Sequence, residues 1–286
     1  MVDLTISQNF LKDPELVRRL VSKVGISKGD TVLDIGAGEG IISEVLLETG
    51  ASVIAVEPDG SLFLKLKQRF SGRPDIQLVD KDFLNYPLPS GPYKVFSNIP
   101  FSVTSAIVNK LLFVGNPPRE SFLVIQQEAA NRFMGKGEGY LFSLLTRPFF
   151  DTSVLYKFKR DDFIPKPSVD SVMLGVRKRS QPLIKHDLRT MYEDFICYVV
   201  GQQKPTLKLR LKKIFTAVQY YRISEDLGFS TEATVKNLTF TQWLMLFEKY
   251  ISLVDASKKS ETVGSYENYR KNILRTGKIS KTKIHR

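Results

Sequence analysis

The chain has 286 residues, 42% of them hydrophobic and 25% charged, which predicts a globular protein with a large domain and a smaller one. Its single cysteine, Cys197, excludes an internal disulfide and a cysteine zinc cluster, and two histidines leave little for metal binding. No apolar run approaches the roughly 18 residues of a membrane helix, and the N-terminus does not resemble a signal peptide. We therefore expect a cytoplasmic monomer without a metal or a membrane partner.

The formal charge of +12 is concentrated in two segments. Residues 177–222 carry 11 Lys and Arg against 3 Asp and Glu, and residues 255–286 carry 9 against 3. The rest of the chain sums to −2. Such basic segments favour a polyanionic partner such as nucleic acid, although a solvated face and a flexible tail are the alternative interpretation.

The N-terminal half alternates between helices and short apolar strands. Asp13-Pro14 is typical of a helix start, and the helix is predicted to reach about residue 23. Strands are then predicted at 31–35, 52–57, 76–79, 93–97 and 121–126, with helices at 41–47, 62–70, 104–113 and 128–133. This alternation indicates βαβ units and an α/β fold built on a parallel sheet.

The character of the sequence changes after residue 180. Strands are predicted at 152–158 and 171–176, and helices follow at 187–200, 207–221 and 241–250 with no strand between them. We predict a catalytic domain at 1–179, a small all-helical domain at 180–254 and a flexible basic tail at 255–286.

A glycine-rich loop, residues 34–40, lies between the first predicted strand of the sheet and the next helix. Gly36, Ala37 and Gly38 would bring the backbone close to a ligand. The loop does not match the dinucleotide or phosphate-binding motifs, and Asp34 at its start also disfavours a pyrophosphate. A ligand without phosphates is therefore expected.

Acidic residues follow the next two predicted strands. Glu57 is placed to accept hydrogen bonds from a ribose diol. Asp82 could accept from an adenine amine, and Phe83 could pack on the adenine ring. A nucleoside with a cationic group and no phosphates satisfies this pattern, and we predict the cofactor S-adenosyl-L-methionine.

The stretch Asn98-Ile99-Pro100-Phe101 ends the fourth of the predicted parallel strands. Pro100 stiffens the turn and favours an extended conformation at Ile99. A carboxamide, two backbone carbonyls and an aromatic ring then stand at the edge of the sheet. This corner can bind a flat base that carries an exocyclic amine.

Together these motifs resemble the rRNA adenine N6-methyltransferases, which include the Erm-type macrolide-resistance enzymes and the small-subunit dimethyladenosine transferases. The resemblance covers residues 5–180 and, more loosely, the chain to about 250. The matching motifs are D-x-G-x-G-x-G at 34–40, V-E-P at 56–58, D-F at 82–83, N-I-P-F at 98–101, Q-N-F-L at 8–11, Q-x-E-x-A-x-R within 126–132 and F-x-P-x-P-x-V-x-S at 163–171.

The resemblance implies a Rossmann-like methyltransferase domain and assigns roles to residues within it. Gln8 and Asn9 would hold the methionine end of the cofactor, and Phe163 would offer the target adenine a second aromatic face beside Phe101. The implied cofactor-binding residues are Gln8, Asn9, Leu11, Asp34, Gly36, Ala37, Gly38, Glu57, Pro58, Asp82, Phe83 and Asn98. The implied catalytic residues are Asn98, Ile99, Pro100, Phe101 and Phe163.

The basic segment of the predicted helical domain is the expected contact for rRNA phosphates. Its charges recur at spacings that would put several of them on one face of a helix at 207–221. The predicted RNA-binding residues are Lys204, Lys208, Arg210, Lys212 and Lys213.

Isoleucine in N-I-P-F favours the Erm type, and hence methylation of an adenine in 23S rRNA with resistance to macrolide-type antibiotics. The Q-x-E form of residues 126–128 is shared more with the small-subunit branch, so a 16S-type dimethyltransferase is the first alternative. The others are an Erm-like enzyme acting on another 23S base, a non-catalytic nucleic-acid-binding relative, and a methyltransferase for small molecules or proteins.

Overall fold

A computed structural model describes residues 9–113, 115–136 and 140–272. The chain divides into two compact units, and each is discontinuous in sequence. Of the described residues, those within 1–134 and 150–180 form the first unit, and those within 135–149 and 181–286 form the second. One boundary between the units follows residue 180, next to the boundary predicted after residue 179, and residues 135–149 group with the helical unit. The chain leaves the sheet and returns to it, which a boundary drawn at one point could not describe.

The first unit is built on a mixed seven-stranded sheet and a separate two-stranded ribbon. The strands are β1 (Phe10–Leu11), β2 (Thr31–Ile35), β3 (Ser52–Val56), β4 (Ile76–Val79), β5 (Lys94–Asn98), β6 (Glu120–Gln126), β7 (Phe150–Lys157), β8 (Phe163–Ile164) and β9 (Ser171–Lys178). The strand order in the sheet is β4-β3-β2-β5-β6-β9-β7. Strands β2 to β6 pair in parallel as predicted, whereas β9 and β7 add an antiparallel edge.

Five helices of this unit connect or follow the strands: α1 (Pro14–Lys23), α2 (Ile41–Glu48), α3 (Gly60–Arg69), α4 (Thr104–Phe113) and α5 (Gln127–Phe133). The predicted start of α1 is confirmed, since the Asp13 carboxylate accepts a hydrogen bond of 2.9 Å from the Glu15 N–H. Helix α1 buries Leu16, Val17 and Leu20 against the core. These helices cover the apolar parallel strands and leave the strand ends to form the site.

The second unit is helical in its described residues. Its helices are α6 (Tyr140–Thr146), α7 (Arg189–Gly201), α8 (Leu207–Leu211), α9 (Ala217–Leu227), α10 (Phe240–Leu253) and α11 (Ala256–Lys259). Tyr192 and Phe195 of α7 pack against Phe247 of α10, with ring centroids 5.1 and 5.8 Å apart. This aromatic contact forms the centre of the core of the unit.

Two predictions for the helical unit are wrong. The single helix predicted at 207–221 is broken after Leu211, because Thr216 caps a new helix by accepting a hydrogen bond from the Gln219 N–H. A flexible tail is predicted at 255–286, but its described part is helical over 256–259 and 265–272, and residues 273–286 lie outside the described residues. Its Tyr266 N–H donates to the buried Asp194 carboxylate at 2.9 Å, which ties this segment to α7.

None of the helices described is long and apolar enough to cross a membrane. Likewise, the described ranges hold no group of three or more His, Cys, Asp or Glu side chains that could bind a metal ion.

Candidate functional site

The crevice between β2 and β5 is the point where the strand order of the first unit reverses. The two strands pair only from Val32 to Leu33 and diverge towards their carboxyl ends. There the Ser97 hydroxyl takes the place of the backbone ladder, since it accepts from the Ile35 N–H and donates to the Ile35 carbonyl. Open α/β sheets bind ligands in such a crevice, outside the carboxyl ends of the strands.

The glycine loop borders this crevice, and two neighbouring rings approach it closely. Gly36 and Gly38 have φ of +71° and +58°, which L-residues with a side chain rarely adopt. A Cβ on Gly36 would lie 3.4 Å from Pro100 Cδ, and a Cβ on Gly38 would lie 2.7 Å from Phe10 Cε1. The backbone conformation therefore favours glycine at both positions, and at Gly38 the approach of the Phe10 ring also excludes a Cβ.

A cleft joins three of the predicted motifs. It is lined by Asn9 and Phe10 of the N-terminal arm, by Gly36 and by the corner at residues 98–101. The structure thus brings together the arm, the start of the glycine loop and the N-I-P-F corner, which are distant in sequence. Of the predicted residues, Gln8 lies outside the described residues.

Glu57 supports the glycine loop. Its carboxylate accepts hydrogen bonds from the backbone N–H groups of Gly38 at 2.8 Å and Asp59 at 2.9 Å. The side chain is fully buried, and burial raises its pKa. Each carboxylate oxygen can accept more than one bond, so the predicted ribose contact remains a prediction. Its role in fixing the loop was not evident from the sequence.

Asp34 is a buried carboxylate with an unused acceptor. One oxygen accepts from the Ser43 hydroxyl at 2.7 Å, and the other, Oδ1, has no hydrogen-bond partner among the described residues. Burial, with a smaller contribution from the nearby Glu57 charge, raises the pKa of Asp34 to about 7. An unsatisfied buried acceptor at the glycine loop, together with the close-packed glycines, fits a ligand that carries positive charge and hydrogen-bond donors.

The loop after β4, residues 82–86, is held by Lys110, whose role is not evident from the sequence. The Lys110 ammonium of α4 donates to the carbonyls of Phe83 at 2.7 Å, Leu84 at 2.9 Å and Tyr86. It also lies 4.8 Å from the centroid of the Phe83 ring. Lys110 thereby fixes the loop that begins at Asp82, whose side chain caps it by accepting from the Leu84 N–H.

Phe83 is buried and forms part of the packed wall, so its predicted contact with an adenine ring stays a prediction. Phe83 and Lys110 are 27 positions apart in the chain. No sequence pattern predicts a contact between residues at that separation. Pro58, also predicted at the cofactor, is exposed at the end of β3.

Some polar groups of the corner at residues 98–101 already have hydrogen-bond partners within the protein. The Asn98 amide Nδ2 donates to the Asn9 carbonyl at 2.6 Å, which ties the N-terminal arm to the end of β5. The Pro100 carbonyl accepts from the Val103 N–H and from the Thr104 hydroxyl. Of the two backbone acceptors considered for a base amine, the Pro100 carbonyl is thus occupied, which favours the carbonyl of Ile99. Phe101 is partly exposed at the cleft.

The ribbon of β1 and β8 determines which side chains face the cleft. Phe10 pairs with Ile164, and Leu11 pairs with Phe163. Leu11 and Phe163 are 3% and 1% exposed and belong to the core, where the Phe163 ring centroid lies 5.3 Å from that of Phe158. Successive strand residues point to opposite faces, so Phe163 is turned away from the face that carries Phe10. To stack on a base as predicted, it would have to leave the core.

The predicted RNA-binding residues do not share one helical face, because α8 ends at Leu211 and leaves Lys212 and Lys213 outside it. The Arg210 guanidinium is turned inward and donates to the carbonyls of Val199 and Val200 at the end of α7, as well as to Lys204. Arg210 therefore stabilises the α7–α8 turn, and burial lowers its pKa.

The other basic side chains of this segment remain near the surface. Lys208 donates to the Tyr221 hydroxyl and lies 4.6 Å from the ring centroid, and Lys213 pairs with Glu261 at 3.0 Å. Lys204 and Lys212 are exposed. Their contact with RNA remains a prediction.

Comparison with known proteins gives consistent results over nearly the whole chain. Residues 4–252 match the family model described as ribosomal RNA adenine dimethylase. An rRNA adenine N-6-methyltransferase of Bacteroides fragilis is 33% identical over 249 residues, which cover 86% of this chain and 93% of that protein. Ribosomal RNA small subunit methyltransferase A of Thermotoga petrophila is 31% identical over 259 residues, covering 89% and 94%.

A comparison with solved structures points to the same kind of enzyme. The crystal structure of the 23S rRNA methyltransferase ErmE superposes with a TM-score of 0.76 at 28% identity, and the match covers 85% of this chain and 100% of that one. The switch-point crevice, the glycine loop and the similarity to ErmE define a Rossmann-like methyltransferase. More narrowly, the chain belongs to the ribosomal RNA adenine dimethylase family, whose activity is N6-methylation of an adenine in ribosomal RNA.

Proposed function

We propose that the protein uses S-adenosyl-L-methionine to methylate the N6 amine of an adenine in 23S rRNA. The observation that carries this proposal is the cleft in which the N-terminal arm, Gly36 and the N-I-P-F corner meet. S-Adenosyl-L-methionine, when bound, supplies an electrophilic methyl group. The glycine loop and the unsatisfied Oδ1 of Asp34 are the features expected to hold it, with Asp82 on the adenine side.

The adenine amine must be oriented because its lone pair is delocalised into the ring. The Asn98 carboxamide oxygen and the Ile99 carbonyl would accept its two N–H groups. With its Nδ2 engaged by Asn9, the Asn98 oxygen is directed elsewhere, and the side chain is held in one orientation. Positioned acceptors of this kind account for a large part of catalysis in methyl transfer between fixed partners. A proton can leave to water afterwards.

Phe101 is proposed to stack on the target adenine. The base must leave its helical stack to reach the cleft, which costs a few kcal/mol. Stacking on an aromatic side chain returns about 1–3 kcal/mol per base. Phe101 suits this task because it is partly exposed at the cleft and follows directly on the Asn98–Pro100 corner.

The choice of 23S rRNA is supported by the similarity to ErmE and by isoleucine in the corner motif. The second candidate is an adenine of 16S rRNA, which the 31% identity to the Thermotoga petrophila small-subunit enzyme favours. Resistance to macrolide-type antibiotics would follow only from the first candidate.

Methylation of isolated substrates distinguishes the two. Purified protein is incubated with labelled S-adenosyl-L-methionine and either protein-free 23S rRNA or 30S particles, and the modified nucleotide is mapped. Label at N6 of a 23S adenine supports the proposal, and label confined to 30S particles overturns the choice of subunit. Expression in a susceptible host should raise its macrolide tolerance in the first case and leave it unchanged in the second.

A further inference from the structure

An isoleucine at the rim of the cleft is exposed to an unusual degree. Ile164 is 59% exposed, whereas its strand neighbour Phe163 is 1% exposed. Ile164 is directly opposite Phe10 in the antiparallel ribbon, and such partners project from the same face with Cβ atoms about 5 Å apart. Because Phe10 lines the cleft, the Ile164 side chain stands beside the cleft mouth.

Basic residues flank β1 and β8 along the chain. The Lys12 N–H donates to the Asp162 carbonyl at 3.2 Å, and the Lys159 N–H donates to the Asp162 carboxylate at 2.8 Å. Lys166 pairs with Asp161, and the charges of Lys166, Lys12 and Lys159 together hold the pKa of Asp161 below its usual range. Exposed ion pairs of this type are weak, so RNA phosphates can take the place of Asp161.

An apolar side chain that is flanked by cations, next to a site that requires an extruded base, is suited to insertion between bases. Proteins that distort nucleic acids insert isoleucine, leucine or proline between bases and occupy the space that unstacking leaves. Extrusion of the target adenine would open such a gap beside the cleft.

We propose that Ile164 is a wedge that enters the rRNA stack where the target adenine has left it, while Lys12, Lys159 and Lys166 contact the flanking phosphates. This proposal rests on the proposed function, because it requires an adenine to be extruded into the cleft. It assigns to the 163–166 loop a task separate from the chemistry at Asn98.

The test compares Ile164→Ala with the wild type on two RNA hairpins that contain the mapped target adenine. In one hairpin the adenine is paired within the stem, and in the other it lies in a flexible single-stranded loop, where it is already unpaired and largely unstacked. Single-turnover methylation of the paired hairpin should fall about tenfold in the variant. Methylation of the loop hairpin should stay within twofold, and so should the affinity for S-adenosylhomocysteine.

Leu64→Ala serves as the matched control, because Leu64 is 60% exposed on α3 and loses the same side-chain volume. It should match the wild type on both hairpins. A hairpin with 2-aminopurine at the target position should also gain less fluorescence with Ile164→Ala than with the wild type.

Equal rates of Ile164→Ala and wild type on the paired hairpin would overturn the wedge, and so would an equal loss on both hairpins. If the wild type methylates neither the hairpins nor intact rRNA, the proposed function fails instead. The two failures are therefore distinguishable.

Discussion

The contact between Phe10 and Gly38 can be tested by adding one methyl group. In Gly38→Ala the new Cβ would lie 2.7 Å from Phe10 Cε1 and 3.1 Å from Cδ1, at a φ of +58°. The left-handed backbone costs a residue with a Cβ about 1–2 kcal/mol. Carbon atoms prefer separations of about 3.5–4.0 Å, so the Phe10 ring must also move by about 1 Å. Pairing with β8 holds the β1 backbone, so the Phe10 ring must turn, and this changes the wall of the cleft that Phe10 lines.

Gly72→Ala separates the two effects, because Gly72 has a φ of +76° and no atom within 4 Å of the added Cβ. In urea titrations Gly72→Ala should lose about 1–2 kcal/mol of unfolding free energy, and Gly38→Ala should lose more, because the clash with Phe10 adds to the backbone cost. Calorimetry should show at least a tenfold loss of S-adenosylhomocysteine affinity for Gly38→Ala and less than a twofold change for Gly72→Ala. Unchanged affinity in Gly38→Ala would refute a role of the Phe10 contact in holding the cofactor.

Three further variants test separate parts of the site. Phe101→Ala should reduce RNA methylation at least tenfold with little change in cofactor affinity, whereas Phe101→Tyr should retain activity; equal losses in both assays would make Phe101 structural. Lys110→Met removes the donor to three carbonyls of the 83–86 loop. In steady-state assays it should raise KM for S-adenosyl-L-methionine about tenfold and leave KM for RNA unchanged. Parallel rises in both KM values would show that the loop does not act on the cofactor alone. Asp34 has a raised pKa of about 7 when folded, so the protonated form favours folding and the wild type should lose up to about 4 kcal/mol of stability between pH 4 and pH 8. Asp34→Asn should lack this pH-dependent loss in urea titrations, and identical pH profiles would show that Asp34 does not titrate there.

The first unit could be predicted in detail because its signals are local. Strand ends, glycines and acidic residues follow one another within a few positions, and the parallel sheet brings strand ends together. The contact of Lys110 with the 83–86 loop could not be predicted, because no sequence pattern indicates which lysine points inward. The orientation of Phe163 depends on the ribbon register, and a shift of one residue exchanges core and cleft faces.

The helical unit was predicted less well for a related reason. A run of Leu and Lys suits either one long helix or two short ones, and the Thr216–Gln219 capping box decides between them. The sequence suggests that Arg210 is a surface charge, yet its guanidinium donates hydrogen bonds to two carbonyls at the end of α7. Residues 255–272 look polar, but Tyr266 and Asp194 attach them to α7. Composition alone does not reveal such contacts over long sequence separations.

The role of Asn98 is tested by single-turnover methylation of rRNA by Asn98→Ala, with N6-methyladenine quantified by mass spectrometry. The variant loses the amine acceptor and one hydrogen bond to the Asn9 carbonyl. We predict a loss of methylation of about a hundredfold or more, as for other positioned polar groups. Affinity for S-adenosylhomocysteine should fall only about fivefold, the equivalent of about 1 kcal/mol for one hydrogen bond. Methylation near the wild-type rate would contradict the account.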